Sequence, residues 1–186
     1  EEEHQLAREL TNPIHTESAS AVFDDYCRQT WLDNVMRGGM PLLLGGKHTY
    51  HVFSRRHGDL ERDYNFFVVA PELYSQGNGS YRDINQNRRS DANFFPKSGE
   101  FNIRLFMSLI QSDGYNPLTI QGSNFTLPAD EVTVLLKSAG KPDELKKVLN
   151  SHFTPGQVMT AALKADLEID PDEFLEKVFA AAEQHI

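Results

Sequence analysis

Cysteine is nearly absent: Cys27 stands alone in 186 residues. No internal disulfide can staple the fold, so packing must hold it, which suits a reducing compartment. Long hydrophobic runs are missing too. The longest apolar stretches, Leu42 to Leu44 and Phe66 to Ala70, fall far short of the roughly twenty residues that cross a bilayer, and no membrane partner is expected. The opening Glu1-Glu2-Glu3-His4 is acidic where a secretory leader is basic, so a cytoplasmic location is expected. Basic surplus is lacking as well: the formal charge is −9 and the pI about 5.2. A protein that tracks nucleic-acid phosphates draws its affinity from excess Lys and Arg, and that class is excluded. What is present, 39% apolar and 24% charged residues, describes a globular chain long enough to bury a core.

Charge divides the chain into three segments. Residues 1–40 carry eight acids and three bases, residues 41–127 eight acids and nine bases, and residues 128–186 eleven acids and six bases. Both ends read as acidic helical segments flanking a polar middle, the three forming one structural unit. The middle holds seven of the ten arginines, interleaved with Asp59, Glu61, Asp63, Asp83 and Asp91. Arginine matched by carboxylate suggests bidentate networks rather than a field for an anionic polymer.

Periodicity predicts a mainly α chain with short β segments. A helix is expected over 17–37, with Val22, Phe23, Tyr26, Cys27, Thr30, Trp31 and Val35 on one buried face, a cap at Thr16 or Ser18, and Gly38-Gly39 as the stop. Residues 41–44, 49–53 and 66–69 read as short strands, and Gln76 to Ser80 as a turn. Residues 81–97 lack a clean period and read as an ordered polar loop entering a short helix. A second helix is expected over 99–112, then an extended run from Leu118 to Leu127. After Pro128 the chain is helical, with starts at Pro128, Pro142-Asp143, Thr154-Pro155 and Asp170-Pro171. Six or seven helices are expected in all.

Two stretches could carry chemistry. In Arg55-Arg56-His57-Gly58-Asp59-Leu60-Glu61-Arg62-Asp63-Tyr64, an extended backbone places Arg55, His57, Asp59, Glu61 and Asp63 on one face. Crowded carboxylates push one pKa up, as an acid catalyst needs, which makes Asp59, Glu61 and Asp63 candidate catalytic groups. The plainer alternative is a solvated, salt-bridged strand edge. The second stretch, Gly77 to Arg89, sets mixed donors and acceptors after a glycine turn, with Tyr74, Tyr81, Phe94 and Phe95 nearby. Such a set suits a neutral polyol, hydroxyls meeting carboxylate and amide while aromatic faces cover the C–H side of a sugar ring. The plainer alternative is a loop whose Asn and Asp satisfy its own backbone. His48, His51, His57 and Asp59 match no standard zinc spacing, and no metal is expected. Gly45-Gly46-Lys47 is followed by His48 and lacks the spacing of a phosphate loop.

The words Tyr81-Arg82-Asp83-Ile84-Asn85-Gln86, His51 to Arg55, His57 to Asn65, Tyr74 to Gly79 and Gln111 to Leu118 together resemble the cellobiose phosphorylase-like glycoside phosphorylases and hydrolases, over roughly 40–127. The resemblance implies an (α/α)6 barrel and cytosolic cleavage of a β-glucoside-type bond with inversion. Inorganic phosphate would be co-substrate, and no cofactor is implied. It places Arg82, Asp83 and Gln86 at the subsite of the non-reducing sugar, with Tyr81, Asn87, Arg55 and His57 as further substrate-binding candidates. Asn87 stands where relatives often carry Asp, keeping an acceptor and losing a charge. Arg55, Arg88 and Arg89 are candidates for placing phosphate. A twelve-helix barrel needs on the order of three hundred residues, and the family's acid lies in a later Trp-rich segment, whereas the one tryptophan here, Trp31, reads as core packing. The chain is therefore expected to be a segment of a longer enzyme, lacking the acid.

Two other readings stand beside this one. The chain could be a non-catalytic carbohydrate-binding or scaffolding module, or the Arg–carboxylate cluster could serve structure alone, with Arg62 and Asp63 in a network costly to break. Incomplete helix faces would be covered by the rest of the parent chain or by self-association.

Overall fold

A computed structural model of the chain describes residues 2–53, 69–77, 79–140, 143–165, 167 and 169–186. Helix α1 (Glu2–Thr11) leads into α2 (Ala21–Gly38). Ser20 caps α2, its hydroxyl accepting from the Phe23 amide at 3.4 Å, so the helix starts later than the caps expected at Thr16 or Ser18. Gly39 ends it at φ +89, where an added Cβ would meet the Phe53 ring at 2.9 Å; only glycine takes that turn without strain. The buried face expected for α2 is corrected. Val22, Phe23 and Tyr26 are 80%, 54% and 65% exposed, because charged Asp24, Asp25 and Arg28 interrupt the apolar stripe and neither hydrophobic cluster of the molecule reaches it.

Strands β1 (Met40–Leu44) and β2 (His48–Val52) form an antiparallel hairpin with Leu42 opposite Tyr50. Its turn uses Gly45 and Gly46 at φ +56 and +68, the left-handed geometry that tight hairpins demand. The expected strand over 66–69 and the charged run 54–64 lie outside the described residues, except that Val69 bridges Gly77. The turn expected over 76–80 is in part a strand: β3 (Gly79–Ser80) pairs antiparallel with β4 (Thr119–Ile120).

The polar stretch expected to be a loop running into a short helix is helical from its start. It forms α3 (Tyr81–Arg88) and α4 (Asp91–Phe94), followed by a 3-10 turn over Pro96–Ser98. Helix α5 (Phe101–Ser108) is shorter than the predicted 99–112; the chain turns at Leu109, and Ile110 is exposed. Tyr81, Ile84, Phe106 and Ile120 close a small second core here.

Strand β5 (Asn124–Thr126) opens the C-terminal part, followed by α6 (Ala129–Ser138), α7 (Asp143–Leu149), α8 (Pro155–Lys164), α9 (Pro171–Ala181) and β6 (Glu183–His185), which returns antiparallel to β5. These helices begin where the punctuation placed them. Thr154 and Gln157 form a capping box, and the Asp170 carboxylate accepts from the Asp172 and Glu173 amides. Nine α-helices stand among the described residues, more than the six or seven expected, because α1 precedes the first helix the periodicity placed and the polar middle forms two helices instead of one.

The main core is aromatic and aliphatic. Phe125, Phe153, Phe174 and Phe179 are fully buried, joined by Leu145, Leu149 and Val178. Leu44 and Tyr50 of the hairpin enter the same core, and Phe125 meets Phe179 edge to face with centroids 4.7 Å apart. The hairpin turn is seated on α9: the His48 Nε2 lies 2.9 Å from the Ala182 carbonyl, and a Cβ on Gly45 would fall 2.1 Å from the Ala180 nitrogen. The fold is thus mainly helical, about half of the described residues, with short antiparallel strand pairs. Among the described residues no helix is long and apolar enough to cross a membrane.

Candidate functional site

Helices α3 and α4 sort their side chains by helical phase. Tyr81, Ile84, Arg88 and Asp91, three or four apart, turn inward and are buried. Asn87, Asp91, Phe94 and Phe95 share a neighbouring face, and this face borders a cleft of about 390 Å³, within the usual size of small-molecule sites. Gln86, Asn87 and Ser90 supply its polar edge, Phe94 and Phe95 the adjoining aromatic wall. Trp31 of α2 stands across from them, its ring tilted on Phe94 with centroids 4.3 Å apart. The Trp31 indole N–H is spent on the Leu10 carbonyl at 2.9 Å, so the ring offers the cleft an apolar surface. Leu10 and Pro13 on one side and Met40 and Pro41 on the other complete the apolar part.

Beneath this cleft lies a buried ionic hub. The Asp91 carboxylate accepts from His51 Nε2 at 3.0 Å and from the Asn102 amide at 2.8 Å, and Arg88 Nη1 stands 3.6 Å away. Arg88 Nη2 also donates to the Gly39 carbonyl at 3.0 Å, tying α3 to the start of β1. A carboxylate only accepts, so His51 is the tautomer protonated on Nε2. Burial, then the Arg88 charge, push the His51 pKa down to about 4 against the pull of Asp91, leaving the ring neutral at pH 7. Burial alone would raise the Asp91 carboxyl, but the His51 hydrogen bond and the Arg88 charge outweigh it and hold it below the ordinary carboxylate value. Arg88 and Asp91 cancel one another, so the cleft floor carries buried charge without net charge.

The residues expected at a sugar site separate. Gln86 and Asn87 border the cleft. Arg82 and Asp83 stand one helical turn before them, outside its lining, with Arg82 Nε 3.3 Å from Asp83 Oδ1; Arg82 is exposed and Asp83 half-buried. Tyr81 faces the other way, packed edge to face on Phe106 with its hydroxyl donating to the Phe106 carbonyl at 2.8 Å. Arg88, considered for placing phosphate, is committed instead to Gly39 and Asp91. Arg89 is exposed, its Nε donating to the Gln86 carbonyl at 3.3 Å. Arg55, His57, Asp59, Glu61, Arg62 and Asp63 lie outside the described residues. Tyr74 packs on the main core rather than beside α3. Among the described residues no three His, Cys, Asp or Glu gather as a metal site.

Sequence reasoning missed the hub and the role of Trp31. The three- and four-residue spacing of Asn87, Asp91 and Phe94 was the available signal, masked by low apolar content. Comparison with protein-family models, with curated proteins and with solved structures finds no match to this chain.

Proposed function

We propose that the cleft is part of the saccharide site of a cellobiose phosphorylase-like enzyme that cleaves a glycosidic bond with inversion, this chain being one segment of an (α/α)6 barrel. The observation that supports it is the meeting of Gln86 and Asn87, two residues named by the resemblance, with the Trp31–Phe94 aromatic pair around one small cleft. A sugar ring has hydroxyls at its edge and C–H groups on its faces; amides serve the first and aromatic rings the second. Its neutrality also suits a floor on which Arg88 and Asp91 balance one another. In the reaction, an acid protonates the glycosidic oxygen as its bond to the anomeric carbon breaks, while a phosphate oxygen bonds that carbon from the opposite face. Phosphate would be held by Arg55 or by the exposed Arg89.

A second reading, a binding module without turnover, is favoured by the carboxylates of the described lining. Asp91 is engaged by His51, Asn102 and Arg88, and Glu9 is exposed at the rim beside Gln5, so neither is presented as an acid.

Titration with cellobiose, with and without phosphate, tests both. The sole tryptophan lines the cleft, so its emission reports occupancy alongside calorimetric heat. Saturable binding is expected, weakened about tenfold by Gln86→Ala or Asn87→Ala, the worth of one hydrogen bond. Phosphate-dependent release of a sugar 1-phosphate by the parent enzyme marks phosphorolysis; binding without release marks the module. Absence of heat and of any emission change with cellobiose and glucose would sink both readings.

A further inference from the structure

The cleft is divided more sharply than a sugar alone requires. Its polar edge is local: Gln86, Asn87 and Ser90 sit within five residues at the end of α3. Opposite them the lining is mainly apolar on three separate elements, with Leu10 and Pro13 at and just past the end of α1, Trp31 on α2, and Met40 and Pro41 at the start of β1, while Glu9 adds an exposed carboxylate at the rim. Two polar groups that could have interrupted this part are engaged elsewhere. The Trp31 N–H is bonded to the Leu10 carbonyl, and the Gly39 carbonyl takes Arg88 Nη2. A disaccharide placed here would set much of its second ring against Leu10, Trp31, Met40 and Pro41, and each hydroxyl left unpaired there costs free energy on desolvation.

We infer that the ligand of this cleft is a glycoside with an apolar aglycone, an aryl or alkyl β-glucoside, its sugar held at Gln86 and Asn87 and its aglycone lodged among Trp31, Met40 and Leu10. The inference rests on the saccharide reading above and names the class of sugar derivative that the site takes. Met40 is suited to such a role, because its thioether is adaptable and packs well on aromatic rings, and it is 37% exposed, within reach of an incoming group.

The experiment compares two ligands with the same sugar. Methyl β-glucoside and phenyl β-glucoside are titrated into the full chain by calorimetry, with phenol as the control for the aglycone alone. Phenyl β-glucoside is expected to bind at least about tenfold more tightly than the methyl compound, from the apolar area that one ring hides from water. Met40→Ser, at an exposed strand end, is expected to weaken phenyl β-glucoside more than methyl β-glucoside and so close most of that gap. Gln86→Ala is expected to weaken both glucosides by the same factor. Equal affinity for the two glucosides overturns the inference and leaves the saccharide reading standing. Phenol binding as tightly as phenyl β-glucoside, or neither glucoside binding at all, overturns both.

Discussion

At the scale of single residues, Asp91 organises the site. One carboxylate, 5% exposed, takes a histidine, an amide and a guanidinium, each from a different element. Removing one partner from such a buried set leaves the others desolvated and uncompensated. Because the folded pKa of His51 lies below that of the unfolded chain, the unfolded state takes up the proton first as pH falls. The stability His51 leaves intact at neutral pH is therefore lost between about pH 6.5 and 4, a span worth roughly 3 kcal/mol. His48, lowered mainly by burial against α9, acts in the same direction. Asp91, whose carboxyl is held low, adds stability above its unfolded value that disappears at still lower pH. His51→Gln keeps a donor for Asp91 without a group that titrates here. Melting temperature should fall less between pH 7 and pH 5 in that variant than in the wild type; equal falls would remove His51 from the account.

At the scale of elements, the β1–β2 hairpin and α9 depend on one another. The two turn glycines share a left-handed backbone but differ in surroundings. A Cβ on Gly45 collides with the Phe179–Ala180 backbone, while one on Gly46 meets nothing within 4 Å. Gly46→Ala should cost about 1 kcal/mol for the conformation alone, and Gly45→Ala distinctly more, because the hairpin must lift from the core. Urea unfolding of the two variants measures the difference, and matching midpoints would show that the turn is not seated on α9. Legibility also differs by element. The starts of helices α8 and α9 were readable to the residue because Thr154-Pro155 and Asp170-Pro171 cap their own neighbours, an interaction closed within four positions. Helices α3 and α4 were not, because their buried face is built from Arg88 and Asp91 as well as Tyr81 and Ile84. A charge counts as inward only when a partner such as His51, forty residues away, arrives to meet it.

At the scale of the whole molecule, stability is unevenly shared. The larger core joins the hairpin to the four C-terminal helices, and no residue before Leu44 belongs to either hydrophobic cluster among the described residues. The α1–α2 pair packs against α3 and meets the rest at, among other places, the Trp31–Phe94 contact and the neighbourhood of Gly39. Elements with few buried apolar contacts open locally at low free energy. Amides of α1 and α2 should therefore exchange with deuterium faster than those of α8 and α9. Equal protection would show that the N-terminal helices are part of the cooperative core. Since this pair forms one wall of the cleft, a ligand that bridges α2 and α4 should slow its exchange.

The sequence by itself determined the helical C-terminal part with its starts, the hairpin strands beside their paired glycines, and the polar character of Gln86 and Asn87. Each of these rests on caps, turn geometry or side-chain chemistry that act over a few residues. Tertiary structure alone decided that Tyr81 packs inward, that Arg88 and Asp91 are buried together, and that Trp31 lines a cleft instead of a core. Those outcomes depend on which distant partner desolvates a group and satisfies it, and a linear pattern of residue types does not carry that.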